Sequence, residues 1–285
     1  MINSIGIVGL GFVGGTVFNW FKSKNWEVYG YSLDHTEDEQ KTFSADCIFI
    51  AVPTPFNWET NKYDGSIIES VLKKIEPGKI VVIKSTVKIG TTENLQEKFP
   101  ELKILFNPEF LSEATATQDF RNPDRQIVGY SKKSYGVAIE VLNMLPESPY
   151  DVIMPSTESE LCKFINNIHG SLSVLEANMY YDVCQNEGLD YERVKGAMEA
   201  SKWVGAPMGR QYHTIWHKNK RGIGGHCFLK DVSTYIEYCK EKNIDPRILE
   251  AAMEYNHNLL NEQGLTENMA EKISTAEDVA KIRGY

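Results

Sequence analysis

The chain has 285 residues, 42% hydrophobic and 24% charged, enough to bury a sizeable core in about two domains. A net charge of −9 with no basic block argues against nucleic acid, and no apolar run of about 20 residues offers a membrane span. The five cysteines form no C-x-x-C pair and no basic-then-apolar leader precedes them, so reduced thiols in a cytoplasmic protein are expected.

Ser4–Gly9 is an apolar run of strand type, and Gly9-Leu10-Gly11-Phe12-Val13-Gly14 follows at once. An amphipathic stretch, Gly15–Ser23, and a second strand, Glu27–Tyr31, complete a strand, G-x-G-x-x-G, helix, strand unit of about 30 residues. That context points to a dinucleotide. Gly9 makes the tight turn, Gly11 admits a pyrophosphate, Gly14 permits close helix–strand packing, and the amides around Phe12 and Val13 offer donors to phosphate. The acid that usually closes the second strand is replaced by Ser32, and Asp34 two residues later could reach the ribose hydroxyls. Ser32 would tolerate a 2′-phosphate, but no arginine lies nearby to pair with one, so NAD is expected rather than NADP.

Further strands are expected at Cys47–Val52, Ile80–Lys84, Lys103–Phe106 and Gln126–Gly129, with a last strand pattern ending at Pro155. Their alternation with helical segments predicts an α/β fold, a Rossmann-type doubly wound parallel sheet over residues 1–155. Ligands of such sheets lie beyond the carboxyl ends of the strands. Pro53-Thr54-Pro55, Ser85-Thr86-Val87 and the segment from Asn107 through Glu109, Phe110 and Leu111 to Glu113 occupy those ends. Thr86 and Glu109 are therefore expected to face the cleft.

Residues 156–285 read as an all-α domain. Thr157-Glu158-Ser159-Glu160 has the form of a capping box. A helix of about 30 residues to Gly188 comes next, with Leu161, Phe164, Ile165, Ile168, Leu172, Leu175, Met179 and Val183 at roughly helical spacing. A stripe that long suits a core or a homodimer interface, and Lys163 and Asn167 share a face on it. Shorter helices are expected at Tyr191–Ala200, Val232–Lys242 and Pro246–Asn261, with a partly frayed one after Gly264. Trp203–Lys220 has no period and reads as a substrate loop; Lys218–Arg221, the densest basic run, is short enough to serve one anionic ligand. His213, His217 and His226 have no cysteine or carboxylate at ligand spacing, so no metal is expected.

Gly222–Asp231, Gly-Ile-Gly-Gly-His-Cys-Phe-Leu-Lys-Asp, gathers a glycine approach, a thiol (Cys227), a cation (Lys230) and a carboxylate (Asp231). A helix starting near Cys227 would put it on one face with Asp231, and the helix N-terminus would favour the thiolate.

Taken in order, Gly9–Gly14, Pro53–Pro55, Ser85–Val87, Asn107–Glu113, Asn122-Pro123-Asp124-Arg125, Glu160–Asn167 and Gly222–Asp231 resemble the UDP-glucose/GDP-mannose dehydrogenase family, from Ile5 to about Asn258. The resemblance implies an NAD-dependent oxidation of a nucleotide-sugar C6 alcohol to a carboxylate, with UDP-glucose the expected substrate. It implies that Cys227 captures the aldehyde, that Lys163 and Asn167 stabilise an oxyanion, and that Asp231 with Thr86 activates water. Glu109 and Glu113 resemble family glutamates of the substrate and acid/base site, and Lys230, Gly224, Phe110 and Leu111 would lie at the substrate.

The chain departs from the family in three ways. The family's third, carboxy-terminal nucleotide-binding domain is expected to be missing: a partner subunit supplies that site, the substrate is held mainly by the first two domains, or the chain is a fragment. An upstream arginine has no clean match, Arg210 standing one place out of register. Leu229, Ile223 and Ser32 replace a common proline, aromatic and acid. Two other readings share some features: a two-electron hydroxyacid dehydrogenase of the 6-phosphogluconate type, which needs no cysteine, and a non-catalytic NAD- or nucleotide-sugar-binding subunit.

Overall fold

A computed structural model describes residues 2–111, 115–202, 204 and 211–273. By its packing the chain divides into two units, Met1–Asn57 with Tyr63–Lys163, and Trp58–Lys62 with Phe164–Tyr285.

The first unit is built on β1 (Ser4–Val8), β2 (Glu27–Tyr31), β3 (Cys47–Ile50), β6 (Ile80–Ile83), β7 (Lys103–Phe106), β8 (Gln126–Tyr130) and β9 (Asp151–Pro155), in the sheet order 2-1-3-6-7-8-9. Strands β4 (Phe56–Asn57) and β5 (Lys62–Tyr63) form a separate pair. The long strands are apolar on both faces, as a sheet covered on both sides requires. Ile5, Ile7, Phe49, Val82 and Leu105 turn toward α1 (Phe12–Ser23), α5 (Ala116–Arg121) and α6 (Tyr135–Leu142). Val8, Ile48, Ile50, Val81, Ile83, Ile104 and Phe106 turn to the other face, under α2 (Glu39–Ser44), α3 (Ser66–Leu72) and α4 (Thr91–Lys98).

The sheet departs from the expected wholly parallel arrangement at one place. β7 and β8 pair antiparallel, Phe106 opposite Gly129, while β8 and β9 run parallel. Among its described residues the segment between β7 and β8 carries only the short α5, and it starts β8 from the end where β7 stops. Only two residues of β7 overlap β8, and beyond them Asn107 Nδ2 donates to the carbonyl of Ile127 at 2.7 Å.

The long helix α7 (Ser156–Glu187) starts directly from β9. Its first turns correct the capping-box expectation. Glu160 does not turn back on its own helix; its carboxylate accepts from the amides of Gly90 (2.5 Å) and Thr92 (2.8 Å) and from Thr92 Oγ1 (2.6 Å), capping α4. A side-chain capping pattern is local by assumption, and here a buried acid found richer donors on a neighbouring helix. Burial nevertheless pushes the Glu160 carboxyl up to about 7. A carboxyl raised in the folded state binds more protons there than in the unfolded chain. Stability of the first unit is therefore expected to fall as pH rises from about 4.5 to 7, by up to roughly 3 kcal/mol. Glu160→Gln should flatten that slope in denaturant melts run between pH 4.5 and 8; an unchanged slope would assign it to another group.

The second unit is helical: the rest of α7, α8 (Tyr191–Glu199), a 3₁₀ turn (Gln211–His213), α9 (Gly225–Glu241), α10 (Arg247–Asn261) and α11 (Glu267–Glu271). Helix α9 begins seven residues before the expected Val232, because the glycine run itself delivers the chain into helix. Leu175, Ile223, Leu229, Leu259, Leu260, Leu265 and Ile273 form its main core, against which Trp58 packs while its Nε1 donates to Glu271 at 2.5 Å. The expected stripe lies along one face of α7 but is only partly covered. Phe164 and Leu175 are buried, whereas Ile165, Met179 and Val183 are about half exposed. The eight positions fall within an arc of roughly 100°, and packing takes the edge that carries Phe164 and Leu175. The tail after Gly264 forms α11, and residues 274–285 lie outside the described residues.

Candidate active site

The first unit gathers its polar groups at the carboxyl ends of its parallel strands. Gly9 has φ +89°, and a Cβ there would stand 2.3 Å from the Ala51 carbonyl; a Cβ on Gly14 would stand 1.7 Å from the Gly9 carbonyl. Gly11, the N-cap of α1, would meet nothing within 4 Å and has no side-chain cap. Two glycines are thus demanded by packing, and the third leaves open space before the free amides of a helix N-terminus. This cradle suits a pyrophosphate. Gly14→Ala should abolish NAD binding or unfold the first unit; titration of NADH fluorescence with circular dichroism checks it, and unchanged affinity would contradict the assignment.

Phe12 is exposed and Val13 half-buried in that first helical turn. At the end of β2, Ser32 Oγ donates to Asp34 Oδ1 at 2.8 Å, and this bond holds the exposed Asp34 carboxyl below its usual range. The serine at the expected acid position therefore orients the acid two residues on. At the next strand ends Thr54 Oγ1 donates to the carbonyl of Thr86 (2.9 Å) and Ser85 Oγ to that of Val52 (2.7 Å), so these two loops are tied together. Pro53 is exposed and Thr86 half-buried beside them.

Glu109 and Lys163 form an ion pair that sequence reasoning did not anticipate. Lys163 Nζ lies 3.1 Å from Glu109 Oε2 and donates to the Glu109 carbonyl at 2.6 Å, both residues being buried. The other carboxylate oxygen, Oε1, accepts from the Leu111 amide, which folds the 107–111 loop back on itself. Phe110 packs between the Arg125 guanidinium, 4.0 Å from its ring centre, and Lys163. Lys84 was missed altogether. It closes β6 immediately before Ser85, is buried, and donates to Asn107 Oδ1 at 2.6 Å. Its burial pushes the ammonium down to about 8. The signal was there: a lysine ending the otherwise apolar run Ile80–Ile83 at the ligand-facing edge of the sheet.

In the second unit Asn167 Nδ2 donates to Asp231 Oδ2 at 2.5 Å, and Lys230 Nζ lies 2.8 Å from Asp231 Oδ1. Asn167 and Asp231 are buried. Lys163 and Asn167, expected as one pair, thus each hold a carboxylate: Glu109 for the first, Asp231 for the second. Cys227 is the third residue of α9 and exposed, while Cys47, Cys184 and Cys239 are buried and Cys162 is half-buried. The helix N-terminus favours an anion at that place.

The approach to Cys227 is built tightly. A Cβ on Gly224 would stand 2.5 Å from Lys220 Nζ and 2.9 Å from the Ala270 carbonyl. Asn256 Oδ1 accepts from the Ile223 amide (2.8 Å), and Arg221 binds Asn178 (3.0 Å) and Asp182 (2.5 Å). Lys220 is itself buried and donates to the Gly222 carbonyl at 3.0 Å; burial, then the nearby Lys218, pushes its ammonium down to about 8. His213 is held by Glu199 at 3.2 Å. Among the described residues no three His, Cys, Asp or Glu gather in a metal-binding group, and no helix is long and apolar enough to cross a membrane. Glu113 and Arg210 lie outside the described residues.

Two family models match the chain: the UDP-glucose/GDP-mannose dehydrogenase family NAD binding domain over residues 31–145, and the central domain of the same family over 157–258. A UDP-glucose 6-dehydrogenase of Pseudomonas aeruginosa is 31% identical over 223 residues, 73% of this chain and 47% of that protein. One of Rickettsia conorii is 29% identical over 242 residues, 82% of this chain and 53% of that protein. A solved UDP-glucose dehydrogenase from the archaeon Pyrobaculum islandicum superposes with a TM-score of 0.78 at 25% identity, covering 92% of this chain and 70% of that one. The chain spans about half the length of the curated relatives it matches.

Proposed function

The chain belongs to the UDP-glucose/GDP-mannose dehydrogenase family, and from that we propose an NAD-dependent nucleotide-sugar 6-dehydrogenase that takes UDP-glucose to UDP-glucuronate. The observation that carries the reading is an exposed thiol in the first turn of α9, one helical turn before a carboxylate held by Asn167 and Lys230. A two-electron hydroxyacid oxidation of the 6-phosphogluconate type has no use for that thiol, and an idle binding subunit has no use for the carboxylate's ties.

NAD supplies the hydride acceptor. Gly9, Gly11 and Gly14, with the amides of Phe12 and Val13, would hold its pyrophosphate. Asp34, oriented by Ser32, would take the ribose hydroxyls and repel a 2′-phosphate. Pro53, Thr54, Ser85 and Thr86 would line the nicotinamide side.

The substrate reacts in two oxidations. In the first, the C6 carbon gives up a hydride and its hydroxyl a proton, leaving an aldehyde. The Cys227 thiolate adds to that carbonyl carbon, the C=O π bond breaks, and a thiohemiacetal oxyanion forms. Lys163 and Asn167 are the donors that stabilise it. Loss of a second hydride regenerates C=O as a thioester. Water then adds, the C–S bond breaks, and the thiolate returns as the acid leaves. Asp231 with Thr86 orients that water, and Glu109 and Glu113 serve the substrate and acid/base steps. Phe110, Leu111, Gly224 and Lys230 would contact the sugar. Covalent capture replaces one hard step by two easier ones and keeps the aldehyde from escaping.

Five cysteines without a disulfide suit a reduced, cytoplasmic setting. A homodimer through α7 accounts for the exposure of Ile165, Met179 and Val183; light scattering of Val183→Glu beside the unmodified protein tests it, and a monomer in both rejects it. The reaction class is tested by NADH formation with UDP-glucose, GDP-mannose and 6-phosphogluconate offered separately. Turnover with a nucleotide sugar and none with 6-phosphogluconate is expected, and the reverse pattern would overturn the reading.

A further inference from the structure

In the first unit two buried ammonium groups, Lys84 and Lys163, share one buried carboxylate, Glu109. Lys163 takes that carboxylate directly, so Lys84 needs another partner and finds it in Asn107. The Asn107 side chain is clamped at both ends. Its Oδ1 accepts from Lys84 Nζ at 2.6 Å and its Nδ2 donates to the Ile127 carbonyl at 2.7 Å. An ammonium can meet only an acceptor and a carbonyl only a donor, so the amide has a single allowed orientation. Asn107 also opens the loop that carries Glu109, Phe110 and Leu111, and its amide is bonded to the Ile83 carbonyl of β6 at 2.9 Å. The next links are Lys163 to Glu109 and Glu109 to the Leu111 amide. The path from Lys84 to Lys163 is thus continuous.

A buried ammonium whose hydrogen bonds among the described residues go to neutral oxygens is costly to keep for packing alone, since an apolar side chain of the same shape would avoid the desolvation. It is explained if the loop it fixes seats a donor, Lys163, for a step in which negative charge develops. We propose that Lys84 is a positioning residue for the reaction: through Asn107 it fixes the 107–111 loop, and so the seat of Glu109 against Lys163. The proposal rests on the nucleotide-sugar dehydrogenase reading.

The test compares the unmodified protein with Lys84→Met, Asn107→Leu and the double variant. The first readout is hydrogen exchange at the Leu111 amide, with the amides of β1 and β3 as control. The second is kcat with UDP-glucose beside KM for NAD. Both single variants should raise Leu111 exchange at least about 10-fold and leave the control amides unchanged. They should lower kcat by about 10²-fold with KM for NAD unaltered, and the double variant should be no worse than either single one. Unchanged Leu111 exchange overturns the proposal whatever happens to kcat. So does exchange that rises equally in β1 and β3, the mark of a role in stability alone. If Lys84→Met does not fold, Asn107→Leu cuts the same link with the ammonium kept. If the unmodified protein oxidises no nucleotide sugar yet the loop loosens as described, the positioning role stands and the functional reading falls.

Discussion

Cys227→Ser is expected to abolish net oxidation of UDP-glucose to the acid, by on the order of 10³-fold or more, while NAD binding persists. Serine keeps the shape of the side chain and its place in the first turn of α9. It removes the anion: a hydroxyl at neutral pH is not ionised, whereas the positive end of a helix favours a thiolate. The aldehyde would then lack its covalent tether and the thioester could not form. Because Cys227 is exposed and stands outside the second unit's buried core, the thermal midpoint should move little. The outcome is read from acid product and from NADH binding on one preparation. Full activity in the serine variant would remove the thioester route.

Lys163→Met is the second large effect, and it should appear in rate and in stability together. Methionine fills much of the same volume but leaves the Glu109 carboxylate, buried to 9% relative exposure, without its cation. Breaking a buried pair from one side costs about 3–5 kcal/mol, because the remaining charge stays desolvated. The oxyanion also loses its cationic donor, worth on the order of 10²–10³ in kcat. Adding Glu109→Gln to Lys163→Met separates the two effects. It removes the carboxylate left without its cation, so stability should recover in part while kcat stays low. Urea melts and kcat measured on all three proteins decide; an active Lys163→Met would take the oxyanion role away from this residue.

Much of this was legible in the chain itself, and the parts that were not have a common cause. The turn from β1 into α1 was legible because Gly9 and Gly14 answer to backbone contacts that no other residue survives. The strands were legible because a sheet covered on both faces needs unbroken apolar runs. Partners were harder. Glu160 sits in a sequence that reads as its own helix cap, yet its donors are some 70 residues back, at Gly90 and Thr92. Lys163 and Asn167 share a face by spacing, but spacing cannot say that one meets Glu109 and the other Asp231. Lys84 was hidden because a lysine at a strand end is ordinary, and only burial makes it unusual. The antiparallel entry of β8 depends on where a 19-residue connection ends, which no local pattern encodes.

The most direct measurement is NADH formed per molecule of UDP-glucose consumed, run to completion with purified protein. Two NADH per sugar, with an acid as product, is the result expected from two hydride transfers through Cys227. One NADH per sugar, with the reaction stopping at the aldehyde, would contradict the covalent route and leave a simple alcohol dehydrogenase.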